Sequence, residues 1–425
     1  MSDLIVVLDI GTAKVVALAG ELDFNGELKV IAMSEHPNNG IESGMVIDIK
    51  SCVNAITAAL DDVQKIADCD VHSVFINITG SHISGINSDG AVPIQTGEVT
   101  KEDLDRVLEA ARARVIPANQ KILHVLPQDY VIDNQGGIKE PLGFSGVRLE
   151  AQTHLVTCAT NAAQNLEKCV QRCNVSVEAM ILSQLAAAEA VLTEDEKELG
   201  VCLIDIGAGT TDIAVFTQGA IRHTAVIPMA GRKITREIAT GLRTSRACAE
   251  DVKTRYACAL SAKTDISENI TVSGIGNRQP YELSRQILAE IVESCYKHIL
   301  GSAYEELRRN GFLELIASGI VLTGGTAVME GSLELAENIF QLPVRLGVPN
   351  NIRTSLDSLI HSRYSTTVGL LQYAAKTNAS FITRSPQETF FTNPKENLMD
   401  ELINEPAEPE IPLTSKVVGW FKDKL

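Results

Sequence analysis

Aromatic residues are scarce in this chain. They make up 4% of its 425 residues, with a single tryptophan, so Leu, Ile, Val and Ala must build the core. Basic residues are short as well: 37 Lys and Arg stand against 54 Asp and Glu, a net charge of −17. A nucleic-acid binder needs a basic surface, and an acidic body lying on an anionic membrane is repelled, so the bulk of the chain fits neither class. No run of about eighteen apolar residues occurs, which argues against a membrane-spanning helix. The opening "MSDLIVVLDIGT" has no basic n-region and no small-residue cleavage site, so no secretory signal is expected. The nine cysteines contain no Cys-x-x-Cys pair; the closest two, Cys169 and Cys173, are expected to share one helix face. Buried free thiols in a reducing cytoplasm are expected, rather than a metal site or a disulfide framework.

What is present is an ordinary globular balance, 45% hydrophobic and 21% charged, with length for two or three domains. Two segments carry the same signature. "LIVVLDIGTAKVVALAGEL" reads as a strand over 4–9, a turn at 11–13 and a strand over 14–21. "GVCLIDIGAGTTDIAVFTQG" reads as a strand over 201–205, a turn at 207–211 and a strand over 212–217. One Asp-x-Gly-Thr turn alone is an ordinary turn. Two at domain-sized spacing suggest two related domains, each opening its sheet with a hairpin.

The chemistry of these turns suits phosphate. Gly11, Gly207 and Gly209 allow backbone N–H groups to approach closely, and Ala13 keeps the first turn small. Thr12, Thr210 and Thr211 add hydroxyls, and Lys14 adds a positive charge. Asp9 and Asp205, at the strand ends, have the character of carboxylates that hold a hydrated Mg2+. A third glycine site is "SGIVLTGGTAVMEG", a buried strand over 319–323 running into Gly324 and Gly325 and then a helix. A backbone without side chains there lets a flat ring such as adenine lie against it.

"LDIGTAK", "LIDIGAGTTDIAV" and "IVLTGGTA", in that order, resemble the phosphate-1, phosphate-2 and adenosine motifs of the actin-like ATPase superfamily. The resemblance implies an α/β fold, two doubly wound domains with ATP and Mg2+ in the cleft between them. It also implies contacts from Asp212 and Gly231. "ILSQLAAAEAVL", over 181–192, resembles the first connecting helix, and Gln184 falls where that superfamily positions the attacking water. Glu250 and Lys253 resemble the pair that contacts ribose and adenine. "HVLPQDYVID" and "GFSGVRLEAQTHLVT", with a helix starting near Thr100 and capped by Asp103, resemble the inserted subdomain 1C of the FtsA family of bacterial cell-division proteins. Strands are expected there over 121–125 and 147–157. Matching stretches cover most of 4–373, including "YSTTVGLL". Ala208 departs from the glycine common among relatives, and its methyl is tolerable only where φ is negative.

That resemblance implies subdomain 1A at 1–84 and 164–200, subdomain 1C at 85–163, and a second domain at 201–383 with subdomain 2B inserted at roughly 232–315. It further implies filaments formed on ATP, weak hydrolysis at most, and binding of the C-terminal peptide of FtsZ through 2B. Recruitment of later division proteins would involve 1C, with the chain peripheral on the cytoplasmic face of the inner membrane at the division site.

The composition changes over 384–414, which holds five prolines and seven acids against two bases and reads as a linker. Its mean reach is on the order of 30 Å. "SKVVGWFKDKL", over 415–425, is opposite in sign to the rest of the chain. On a helical wheel Val417, Val418, Trp420, Phe421 and Leu425 share an arc of roughly 160°, with Lys416 and Lys422 opposite and the Lys424 stem able to snorkel. A docked terminal helix and a frayed end are the bland alternatives. An amphipathic, membrane-targeting helix is the reading the lone Trp beside Phe favours. A sugar-type kinase, using Asp129 or Asp133 as base, and a pilus-assembly relative are the competing functions within the superfamily. A chaperone ATPase would need a β-rich domain after about residue 380, where a linker and a short amphipathic segment are expected instead.

Overall fold

The computed structural model describes residues 4–23, 27–276, 278–354 and 356–382. The expected linker at 384–414 and terminal helix at 415–425 lie outside them.

The first hairpin forms as expected: β1 (Leu4–Ile10) pairs antiparallel with β2 (Lys14–Leu22), and β3 (Leu28–Pro37) continues the meander. A small pair, β4 (Ile41–Glu42) and β5 (Met45–Val46), precedes α1 (Ile49–Ala67), whose first turn is capped by Asp48 accepting from the Lys50 and Ser51 N–H groups. β6 (Ser73–Ile78) then runs parallel to β1.

The inserted segment follows as β7 (Ser84–Pro93), α2 (Lys101–Arg112), β8 (Gln120–Ile132), β9 (Gln135–Ile138) and β10 (Arg148–Ala159), a sheet of order β7-β10-β8-β9. The Thr100–Asp103 capping box expected at the start of α2 is present. β8 is far longer than the expected 121–125. It passes through Pro127 at a register shift, where the missing proline N–H costs the ladder little.

The chain returns through α3 (Thr160–Gln171), β11 (Ser176–Leu182), α4 (Ser183–Val191) and α5 (Glu194–Leu199). β11 completes a five-stranded sheet of order β11-β6-β1-β2-β3. The helix expected over 181–192 starts later, because Ile181 and Leu182 still pair with Asn77 and Ile78 of β6. Cys173 falls beyond the end of α3 rather than on one helix face with Cys169, and all nine cysteines are free.

The second half repeats this wiring. β12 (Val201–Ile206), β13 (Thr211–Thr217) and β14 (Ala220–Ile227) form another meander. Then come α6 (Gly231–Gly241), α7 (Arg246–Tyr256), the hairpin β15 (Asn269–Val272) and β16 (Tyr281–Ser284), and α8 (Arg285–Arg309). β17 (Ile320–Thr323), α9 (Ser332–Phe340), β18 (Val344–Leu346) and α10 (Ser365–Ile382) complete the described body, and the second sheet has order β14-β13-β12-β17-β18. The helix expected directly after Gly325 begins only at Ser332, past a turn bracketed by Gly324 and Gly331 at φ +93° and +78°.

Burial explains why β1 and β12 are continuous apolar runs: both of their faces are covered. Val6, Leu8 and Ile10 face α1 and α3, whereas Ile5 and Val7 face a central core with α4, α10 and residues Leu203, Ala214 and Val321 of the second sheet. Two helices thus lie between two sheets of identical wiring, and the loops at the strand ends share one side.

Candidate functional site

Both hairpin turns open into one cleft of about 1360 Å³. The turns are closed alike: the Gly11 N–H donates to the Lys14 carbonyl at 2.9 Å, and the Gly207 N–H to the Thr210 carbonyl at 3.0 Å. The cleft is lined by Asp9, Gly11, Thr12, Ala13 and Lys14 from the first hairpin and by Asp205, Gly207, Gly209, Thr210 and Asp212 from the second. Glu250 and Lys253 of α7, with Gly324 and Gly325 after β17, line it too. Ala208 takes no positive φ, so its methyl is accommodated. Gly324 is required on steric grounds, since a Cβ there would sit 2.2 Å from Asp205 Oδ1.

Three expected site residues stand behind the wall instead. The Thr211 side chain is buried, and its hydroxyl donates to the Met229 carbonyl at 2.7 Å. Gly231 packs against Thr326, and its carbonyl accepts from Lys253 Nζ at 3.3 Å. Gln184 is fully buried away from the cleft, with no partner for its amide among the described residues. The residue of that turn reaching the cleft is Ser183, one position earlier, because α4 starts at Ser183 rather than Ile181. Asp129 and Asp133 do not line the cleft either. Asp129 pairs with Arg222 at 2.7 Å and Lys139 at 2.8 Å, and Asp133 accepts from the backbone of Val147 and Arg148.

Each strand-end aspartate is held by side chains the sequence did not advertise. Asp9 accepts from Asn77 Nδ2 at 2.8 Å and from the Thr367 hydroxyl at 2.6 Å. Asn77 also donates to Ser183 Oγ at 3.2 Å. Asp205 accepts from the Thr366 hydroxyl at 2.9 Å, and Asp212 from the Thr79 hydroxyl at 2.7 Å. A polar Asn77 inside the apolar "VFINI" strand was the available signal for the first of these. Arg232, at the start of α6, ties the halves together by donating to the Thr12 carbonyl at 2.7 Å and the Ile41 carbonyl at 3.1 Å. Lys14 is occupied: it pairs with Glu35 at 2.9 Å and lies 3.8 Å from the centre of the Tyr364 ring. Glu35 also accepts from Arg363 at 2.7 Å and from the Tyr364 hydroxyl at 2.8 Å.

Burial dominates the acid–base chemistry. It pushes the Asp9 carboxyl up from its ordinary value, against the pull of Thr367 and Lys14. Burial and, less strongly, the Asp9 charge raise Asp205 to about 6, and burial together with Asp205 raises Asp212 to about 8. Three acids pushed up together make a place where positive charge is favourable. Among the described residues no cluster of three or more His, Cys, Asp and Glu forms a metal cage. A buried carboxylate from each half fits a hydrated divalent cation completed by water and ligand oxygens. Around this acidic floor the wall is basic, with Arg232, Lys233, Arg236, Arg246 and Lys253. An acidic floor under a basic rim suits a metal-bound polyphosphate.

The two matching meander sheets, the cleft at their hairpins and the helices between them define an actin-like α/β protein. Solved structures of that fold agree. A PilM–PilN type IV pilus biogenesis complex superposes at TM-score 0.60 with 15% identity, covering 87% of this chain and 98% of the other. MreB5 of Spiroplasma citri bound to ADP superposes at 0.54 with 16% identity, covering 90% and 99%. Sequence comparison is more specific. The family model described as cell division protein FtsA matches residues 202–369, and that of the SHS2 domain inserted in FtsA matches 80–157. Cell division protein FtsA of Pseudomonas aeruginosa is 53% identical over 419 residues, 99% of this chain and 97% of the relative. The Escherichia coli K12 protein of the same name is 41% identical over 426 residues, 99% and 96%. The chain belongs to the FtsA family of cell division proteins.

Proposed function

We propose that the chain is a nucleotide-gripping scaffold of the division machinery that assembles into filaments on the membrane and holds FtsZ there. The observation that carries the reading is the pair of equivalent hairpins presenting one buried carboxylate each to a shared, basic-rimmed cleft. In this reading the N–H groups of 12–14 and 208–210, left free by the turn closures at Gly11 and Gly207, take the phosphates of ATP. Glu250 and Lys253, ion-paired at 2.8 Å, take the ribose side, and the Gly324–Gly325 turn backs the base. Asp9 and Asp205 hold Mg2+ through water, and the ion supplies charge neutralisation for the phosphates. Ser183, a neutral hydroxyl already bonded to Asn77, is a poor activator of water, which accords with a protein that holds ATP longer than it turns it over. Calorimetric titration tests the nucleotide reading: ATP binds with Mg2+ and far more weakly in EDTA, and absence of binding in both overturns it.

The remaining assignments follow the family. The domain limits proposed are 1–84 with 164–200 for 1A, 85–163 for 1C, and 201–383 for the second domain with 2B at roughly 232–315. Exposed Ile266, Ile275, Tyr281 and Ile287 near the β15–β16 hairpin give 2B an apolar face for the FtsZ C-terminal peptide, and 1C is the proposed contact for later division proteins. No described helix is long and apolar enough to cross a membrane. Attachment is assigned to the segment 415–425, where the lone Trp beside Phe and the local excess of lysine favour a lipid surface. A helix of that length is unstable alone in water and binds lipid weakly, so many tails on one filament hold where one does not. Trp420→Glu is expected to abolish co-sedimentation with anionic vesicles, and undiminished sedimentation would remove the tail from the account.

A further inference from the structure

We propose that Thr366 and Thr367 are positioning residues forming a two-hydroxyl clamp, one hydroxyl for each half of the molecule, that sets Asp9 and Asp205 for a shared divalent cation. The proposal rests on the nucleotide and Mg2+ reading given above and assigns a role to the "YSTT" segment that the motifs leave unexplained. The two threonines are adjacent in the first turn of α10. Neighbouring residues of a helix point about 100° apart. Here that divergence sends one hydroxyl to each half: Thr366 donates to Asp205 Oδ2 at 2.9 Å and Thr367 to Asp9 Oδ2 at 2.6 Å.

The clamp is anchored on both sides. The body of α10 packs in the central core with α4, Ile5 and Val7 through Val368, Leu371 and Ala375. Its first residue is stitched to the second sheet: Ser365 Oγ lies 2.6 Å from the Thr323 hydroxyl at the end of β17. Just before it, the Ser362 hydroxyl donates to the Gly324 carbonyl at 3.1 Å. One helical turn therefore touches both sheets and fixes one oxygen of each carboxylate.

A hydroxyl has a single proton to give, so each clamped carboxylate keeps lone pairs for a cation or its waters. Groups that orient metal-facing ligands in this way typically contribute 10- to 100-fold, roughly, in metal affinity. The alternative is that the hydroxyls only satisfy buried acids. That role affects folding and leaves the Mg2+ requirement of nucleotide binding untouched.

The test uses the full chain and its nucleotide affinity, not its turnover. ATP is titrated at a series of Mg2+ concentrations and in EDTA, for the parent, Thr366→Val, Thr367→Val and the two Thr→Ser variants. The clamp predicts that each valine raises the Mg2+ concentration needed for half-maximal affinity about tenfold. It also predicts affinity in EDTA within about twofold of the parent and serine variants restoring the parent requirement. Thr366 is less buried than Thr367 and Val is its isostere, so Thr366→Val carries the test alone if Thr367→Val does not fold. Folded valine variants with the parent Mg2+ requirement overturn the clamp and leave the nucleotide reading standing. A parent that binds no ATP at all overturns both.

Discussion

The two hairpins have the same turn, the same strand-end aspartate and the same neighbours in their sheets, yet they are prepared differently. In the first, Asp9 is held from two sides by Asn77 and Thr367, and the turn ends on Lys14. In the second, the position equivalent to Lys14 is Thr210, and the residue paired with the aspartate across the hairpin is another acid, Asp212 opposite Asp205, where the first hairpin has Val16 opposite Asp9. The first half sets a lysine beside its aspartate and holds that aspartate with two side-chain donors. The second carries two buried acids, raised to about 6 and about 8, and no lysine at its turn. The two halves share a frame and differ in the charges placed around it.

The strongest way to break this comparison is to remove the strand-end acid of the second hairpin. Asp205→Asn should weaken Mg2+-dependent ATP affinity by at least about 100-fold while leaving affinity in EDTA little changed. Equal loss in both conditions would mean that the carboxylate does not serve the cation. A second test swaps a turn residue: the first turn has Ala13 where the second has Gly209. A Cβ on Gly209 would meet Thr12 Oγ1 at 2.4 Å and the Ser43 N at 3.0 Å, so Gly209→Ala must displace the Thr12 side chain of the first hairpin. ATP affinity should fall about tenfold, the size of a displaced contact, whereas Ala13→Gly should cost affinity under about twofold.

A smaller effect concerns pH. The Asp212 value in the fold, about 8, lies above its ordinary 3.8, so the folded body binds that proton more tightly than the unfolded chain between those limits. The stability it contributes is complete below about pH 4 and is lost as pH rises through about 8. Thermal melts of the nucleotide-free chain should therefore show a decline from pH 6 to 8 that Asp212→Asn flattens; a parallel decline in both proteins would place its source elsewhere. Smallest is Glu35→Gln. It frees Lys14 and Arg363 from their shared carboxylate, and ATP affinity should change by about threefold or less. A tenfold change would show that the first hairpin is less settled than its bonds suggest.

Local signals carried most of the fold. The hairpins, the Thr100 cap and the buried strand before Gly324 were legible because turn chemistry and strand patterning act over a few residues. The errors arose where distant partners decide. Ile181 and Leu182 look helical in "ILSQLAAAEAVL", but pairing with β6 extends the strand and shifts the cleft-facing residue from Gln184 to Ser183. Pro127 hid the length of β8 because a bulge, invisible in composition, absorbs it. The bonds made by Asn77, Thr366 and Thr367 were not legible because the aspartates they hold lie dozens to hundreds of positions away.

Both hairpins are proposed to close on one metal-bound nucleotide. Hydrogen exchange of the full chain, with and without ATP and Mg2+, tests it most directly. Slowed exchange is expected at 9–14 and at 205–212 together, lost from both when Mg2+ is removed. Protection confined to one hairpin, or surviving in EDTA, would contradict it.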